Sequence, residues 1–118
     1  MSTAFVVVTL LTIAANAFSG IAALLRFPPI LPAMARADVP EAWLPFPIGT
    51  LKTAGAAGLL AGLLGVPLVD TAAAIGLVLF FVCALYTHVR ASDFSPQFGL
   101  AVAFLALAVA TLSLDLAA

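Results

Sequence analysis

Lys52 is the charged residue whose place in the sequence most needs a chemical explanation. It lies about six residues into an apolar segment that begins near Phe46, which is about 9 Å along a helix at 1.5 Å per residue. A charge at such depth in a membrane costs up to about 2.5–3.5 kcal/mol unless the side chain snorkels or finds a partner. Two interpretations stay open. Lys52 either snorkels or pairs with Asp38, Glu41 or Asp93, or it contacts a ligand.

Asn16 is a second polar residue inside an apolar segment, which runs from about Ala4 to Leu25. It lies near the middle of that segment, where an unpaired amide costs several kcal/mol in hydrocarbon. A hydrogen bond between helices would satisfy the amide. A position beside a ligand cavity, widened by Ser19 and Gly20 one helical turn further on, is the alternative.

A third polar group follows the third apolar segment, in the run Tyr86-Thr87-His88-Val89-Arg90-Ala91-Ser92-Asp93. In a continuous helix, Arg90 shares a face with Tyr86 and reaches Asp93, whereas His88 points to nearly the opposite side. His88 is the only histidine, which excludes a bis-histidine haem or a histidine-rich metal cage within one chain. A hydrogen bond to a backbone carbonyl or water, and contact with a ligand head or proton donation, both stay open for His88.

The candidate ligand-binding residues are therefore the polar side chains at membrane depth or at one end of the apolar segments: Asn16, Glu41, Lys52, Tyr86, His88, Arg90 and Asp93. We assign no catalytic residue and no metal ligand. One histidine, one cysteine and scattered carboxylates provide no specific set of nucleophile, base and orienting group.

The composition indicates a membrane protein. Of its 118 residues, 65% are apolar and 8% are charged, whereas soluble domains have roughly 45–50% and about 25%. The length fits a single domain. A net charge of −1 without a basic run makes nucleic acid an unexpected partner.

Four segments are long enough to cross about 30 Å of hydrocarbon as helices. The tight turn Gly65-Val66-Pro67 makes two of them antiparallel neighbours. We therefore expect an all-α fold, an integral membrane four-helix bundle with antiparallel up-down topology. No deeply placed carboxylate and no continuous polar stripe is apparent, so neither a pump nor a channel is expected. The segments cover residues 4–25, 46–64, 69–87 and 98–116.

The basic residues predict the orientation. Arg26, Arg36 and Arg90 all fall in the first and third loops, and the positive-inside rule places such loops in the cytoplasm. We expect a multi-pass protein of the bacterial inner membrane, with loops 26–45 and 88–97 cytoplasmic and both termini outside. The long first loop either contains a short interfacial helix or is a solvated connector.

Small residues predict where the helices pack, because helices in lipid associate through close approach. Gly58 and Gly62 form a GxxxG pair in the second segment, and alanines are frequent in the third and fourth. Packing inside the bundle is the preferred interpretation. Contact with a protein partner or a second copy through these glycine and alanine faces is also expected.

Several of these residues together resemble the DoxX-like family of small bacterial four-helix membrane proteins. The resemblance extends from about Phe18 to Asp93, and the fourth segment matches only in its apolar character. The residues that carry it are Ser19-Gly20, Pro47-Ile48-Gly49-Thr50-Leu51-Lys52, Gly55, Gly58-Leu59-Leu60, Gly62-Leu63, Gly76-Leu77-Val78 and His88-x-Arg90-x-x-Asp93.

The resemblance implies a redox setting. The family takes its name from a subunit of a thiosulfate:quinone oxidoreductase, and relatives are linked to membrane redox and oxidative-stress complexes. A quinone is therefore the cofactor that the resemblance implies.

Three functions follow, in order of preference. The first is an accessory or assembly subunit of a membrane complex, in contact with the lipid bilayer and a protein partner. The second is a redox-linked subunit with a quinone-like ligand at its polar end. The third is a membrane enzyme for a small lipophilic substrate, with His88, Asp93 or Glu41 as acid or base.

Overall fold

The chain is helical along nearly its whole length. The computed structural model describes residues 2–117, and that part of the chain contains no strand. Short 3-10 turns at Pro28–Ile30 and Glu41–Trp43 flank the second helix. The five α-helices are α1 (Thr3–Leu24), α2 (Leu31–Arg36), α3 (Thr50–Leu63), α4 (Val69–Arg90) and α5 (Pro96–Ala117).

Three helices, α1, α4 and α5, are long and apolar enough to cross a membrane. Each has 22 residues and is about 33 Å long at 1.5 Å per residue. The helix α3 has only 14 residues, about 21 Å. The number of helices therefore differs from the expected four-helix bundle. Of the helices in residues 2–117, only three are long enough to span a membrane, because α3 is short, and α2 is an additional helix.

The start of α3 shows why the expected boundary at Phe46 was early. Leu44–Gly49, the six residues before α3, are kinked, since Phe46 within them has extended backbone angles (φ −149°, ψ 131°). Phe46 precedes Pro47, and a proline ring disfavours helical angles in the residue before it. The regular helix therefore begins only at Thr50.

The four longer helices contact one another in a ring. The helix α1 packs against α3 and α5, and α4 packs against the same two helices. Their common core contains five buried residues, Leu59, Ala74, Leu77, Phe81 and Ala108. The core lies mainly between α3, α4 and α5.

Close approach of α3 to α4 depends on glycine. A Cβ added to Gly58 would lie 2.7 Å from the Cβ of Ala73, and one added to Gly55 would lie 2.5 Å from a methyl group of Leu77. A Cβ on Gly62 would collide with the Asp70 side chain. The GxxxG pair thus packs inside the chain, as preferred from the sequence.

Four helices end with the same hydrogen-bonded motif. The residue after the cap is left-handed at Arg26, Asp38, Gly65 and Ser92. The next N–H then bonds back to a carbonyl five residues earlier, for example from Asp93 to His88 at 2.9 Å. This is the Schellman arrangement, which ends a helix and brings the residue beyond it back over the last turn.

A substitution at Gly58 tests the α3–α4 contact. Gly58→Ala is expected to lower the free energy of unfolding by about 1–3 kcal/mol, because the Ala73 Cβ cannot rotate away from the new methyl group. Unfolding in mixed detergent micelles measures the change. Gly99→Ala is the matched control, since an added Cβ there has nothing within 4 Å, and it should be neutral or stabilising. Equal effects of the two variants would contradict this account.

Candidate functional site: an apolar cavity with a lysine inside

A cavity of about 840 Å³ lies at the end of the bundle where α1 and α4 finish. Residues of α1, α3, α4 and α5 line it, and Met34, Ala37 and Trp43 of the loop after α1 cover it. Most of the lining is apolar. The polar side chains in the lining are Ser19, Lys52, Thr87, His88 and Gln97.

Lys52 is the only lysine or arginine in the cavity lining. It is the third residue of α3 and is partly buried. Its Nζ donates a hydrogen bond to Ser19 Oγ on α1 at 2.7 Å. The same nitrogen lies 5.5–5.7 Å from the ring centroids of Phe80, Phe81 and Phe104, within the range of a cation–π interaction.

Lys52 does not form the ion pair considered from the sequence. In residues 2–117 the one ion pair joins His88 and Asp93. Asp38 and Glu41 are exposed on the loop after α1. The α3 start places Lys52 beside α1 and the aromatic rings of α4 and α5 instead. Its neighbours are therefore a hydroxyl and three ring faces.

The cavity has a deep end and an outer end. Phe81, beneath Lys52, is buried in the core, and His88 follows it by seven residues on α4. Seven residues of helix span about 10 Å. The cavity therefore extends about that far from His88 at the outer end to Lys52 at the deep end.

His88 pairs with Asp93, which corrects the expected Arg90–Asp93 contact. His88 Nδ1 lies 3.0 Å from Asp93 Oδ2, and both side chains are largely buried. The helix α4 ends at Arg90, and the left-handed Ser92 turns the chain back. The N–H of Asp93 donates to the backbone carbonyl of His88. This bond brings Asp93 back beside His88.

Ser95 and His88 lower the pKa of Asp93 below its ordinary value. Ser95 contributes most, followed by His88, whereas burial acts in the opposite direction. The Ser95 N–H donates to Asp93 Oδ1 at 3.2 Å. Asp93 is thus held as a carboxylate that fixes the His88 ring at the cavity wall.

Three other candidate residues do not line the cavity. Tyr86 is 68% exposed, and Glu41 is exposed in the turn before α3. Arg90 is exposed and donates from Nη2 to the backbone carbonyl of Asp38 at 3.1 Å. Arg90 therefore attaches the covering loop to the end of α4.

Asn16 is fully buried but bonds within its own helix. Its Nδ2 donates to the Thr12 carbonyl at 3.0 Å, and its Oδ1 has no hydrogen-bond partner in residues 2–117. Asn16 therefore does not form the hydrogen bond between helices that the sequence predicted. Thr12 on α1 and Thr111 on α5 make it, with their hydroxyl oxygens 2.9 Å apart. Asn16 does not line the cavity.

The α1 helix also carries a polar stripe that the sequence reading missed. Thr9, Thr12 and Asn16 are fully buried, and Ser19 continues the same face toward Lys52. Successive members of this set are three, four and three residues apart, which places them on one face of a helix. Counting threonine and serine with the strongly polar residues would have found it.

The cavity reaches the outer surface between α3 and α4. Leu51 and Leu79 line it and are 45% and 61% exposed. A shallower groove of about 350 Å³ continues along the same two helices and shares Leu51 and Gly76 with the cavity. An apolar molecule in the bilayer therefore has a lateral route to Lys52.

The DoxX-like family model matches residues 7–111. This range includes every residue of the cavity lining. No curated protein and no solved structure matches the chain.

The lowered pKa of Asp93 predicts a pH-dependent contribution to stability. The unfolded pKa is about 3.9, so the carboxylate stabilises the fold above that pH and loses this effect as pH falls through the lower folded pKa. The stability gap between wild type and Asp93→Asn should be largest above about pH 5 and shrink below about pH 4. Chemical unfolding at a series of pH values measures it.

Asp38→Asn is the control for that experiment, because Asp38 is an exposed carboxylate in the same region. The difference in free energy of unfolding between Asp38→Asn and wild type should stay small at every pH. A gap for Asp93→Asn that stays constant through the acid range would contradict the role assigned to Asp93.

Proposed function

The chain belongs to the DoxX-like family, and we propose that it is a membrane protein that binds a lipophilic small molecule in the cavity, with the polar head of that molecule beside Lys52. The cavity itself carries the proposal. Ligand sites are typically apolar cavities of about 300–1,000 Å³ with a few well-placed polar groups, and this one measures about 840 Å³.

The ligand must accept hydrogen bonds at its head. Lys52 offers N–H donors at the deep end, and His88 and Gln97 lie in the lining nearer the outer end. A quinone-like molecule satisfies this requirement, because its ring carries carbonyl oxygens and its tail is apolar. The redox setting implied by the family resemblance favours the same ligand class.

The proposal includes a membrane arrangement. In this arrangement the chain forms one transmembrane domain, and the kinked segment Leu44–Gly49 together with α3 makes the fourth crossing. The positive-inside rule, applied to Arg26, Arg36 and Arg90, supports a cytoplasmic cavity end and termini outside the inner membrane of a bacterial cell.

An accessory or assembly subunit is the second candidate function. The observation that favours it is the open surface at Gly76, where an added Cβ has nothing within 4 Å. Such a surface admits close contact with a helix of a protein partner or of a second copy. A stoichiometric partner after purification in mild detergent, lost in Gly76→Leu, is the expected result.

A self-contained enzyme is the third candidate. The His88–Asp93 pair favours it, because a carboxylate that orients a histidine is a common acid–base arrangement. Glu41 has no part in this version, since it is exposed and outside the cavity.

Filling the cavity tests the ligand-binding proposal. Trp43 is the only tryptophan and lines the cavity, so its fluorescence reports on a bound quencher. We expect saturable quenching by decylubiquinone or by a dibrominated fatty acid in phosphatidylcholine nanodiscs. Ala101→Phe places a ring at a cavity-lining position and should weaken the binding of either probe by at least about tenfold.

Ala103→Phe is the matched control on the same helix. Ala103 is exposed and outside the cavity lining, so this variant should bind both probes as wild type does. Equal, non-saturating quenching in wild type and both variants would mean that the probes only partition into lipid, and would overturn the proposal.

A further inference from the structure

We infer that the cavity binds the ionised acidic head of a membrane-resident amphiphile, such as a long-chain carboxylate, and that Lys52 is its counter-charge. This inference rests on the proposed function and names the ligand class of the same site. It distinguishes an anionic head from the neutral quinone-like head that would also accept a hydrogen bond.

The charges around the cavity favour an anion. The lining contains Lys52 and His88 but no aspartate or glutamate. The nearest acidic group to His88, Asp93, is already engaged by that histidine and by Ser95. A cation in an apolar site without a counter-ion is unfavourable unless a ligand supplies the missing charge.

The contacts of Lys52 leave that charge uncompensated. Ser19 accepts one hydrogen bond from Nζ, and the three phenylalanine rings attract the cation without neutralising it. An ammonium group has three N–H donors, so two remain for a ligand. A carboxylate, which shares one negative charge between two oxygens, can accept both.

Ser19 completes the donor set. Its oxygen accepts from Lys52, and its own hydroxyl hydrogen forms no hydrogen bond within the described part of the chain. Ser19 therefore offers a third donor beside the two of Lys52. Charge-assisted hydrogen bonds to a carboxylate are about twice as strong as neutral ones, which favours an acid over an ester of the same shape.

The groove between α3 and α4 fits the chain of such an amphiphile. It joins the cavity at Leu51 and Gly76 and is lined by small residues, including Ala54, Gly58 and Ala73. The amphiphile then keeps its apolar chain against these helices and the bilayer, while its head reaches Lys52 by the lateral opening.

A matched pair of probes tests the inference in the intact chain. The probes are 9,10-dibromostearate and its methyl ester, which differ only in the charge of the head. Quenching of Trp43 is measured in phosphatidylcholine nanodiscs at about pH 8, because the bilayer raises the carboxyl pKa of the probe above its value in water. We expect the acid to bind at least about tenfold more tightly than the ester.

Lys52 variants assign the preference to its charge. Lys52→Met should bring the affinity for the acid to that for the ester, whereas Lys52→Arg should keep a preference for the acid. The comparison of acid with ester in wild type needs no variant, so it decides the question even if a substitution at Lys52 prevents folding.

The outcomes separate this inference from the proposed function. Equal binding of acid and ester, or decylubiquinone binding as tightly as the acid, overturns the inference and leaves a site for neutral lipophiles. A preference for the acid that survives in Lys52→Met overturns the role of Lys52. Binding of none of the three probes overturns the proposed function itself.

Discussion

The structure depends on one constraint, which is that lipid offers no hydrogen-bond partners, so the polar side chains of a membrane-spanning bundle turn toward its interior. The constraint acts most strongly on α1, where Thr9, Thr12 and Asn16 are fully buried. Of their oxygens, Thr9 Oγ1 and Asn16 Oδ1 have no hydrogen-bond partner in residues 2–117. Their face turns inward, and the contact between Thr12 and Thr111 fixes α1 against α5. The rotation of α1 about its axis is thereby set, and with it the direction of every other residue on that helix.

The candidate site follows from that rotation. Once the polar face of α1 points inward, Ser19 and Gly20 meet the start of α3. A Cβ on Gly20 would lie 2.6 Å from Thr53 Oγ1, so only glycine permits this approach. Lys52 then extends from α3 to Ser19 on one side and over the rings of α4 and α5 on the other. The same packing that turns the polar face of α1 inward therefore holds a cation beside an apolar cavity.

The outer end of the site is organised by how the helices stop. Schellman endings reverse the chain after α1, α2 and α4. After α4 the reversal returns Asp93 to His88, and after α1 it leads into the loop whose residues cover the cavity. Arg90 donates a hydrogen bond to the backbone carbonyl of Asp38 in that loop. Backbone hydrogen bonds at helix ends thus position both His88 and the loop that covers the cavity.

The sequence by itself determined the helical class and the positions of three of the four long apolar segments, because both are properties of local composition and spacing. It left the GxxxG pair open between packing inside the bundle and contact with a partner, and the approach of α3 to α4 decided for the first. It also identified Lys52 and His88 as residues to explain. It did not determine their partners, since Lys52–Ser19 joins residues far apart in the chain and His88–Asp93 depends on where α4 ends. The cavity and its opening between α3 and α4 were decided only by tertiary structure, because empty volume belongs to the arrangement of several helices and to no single segment.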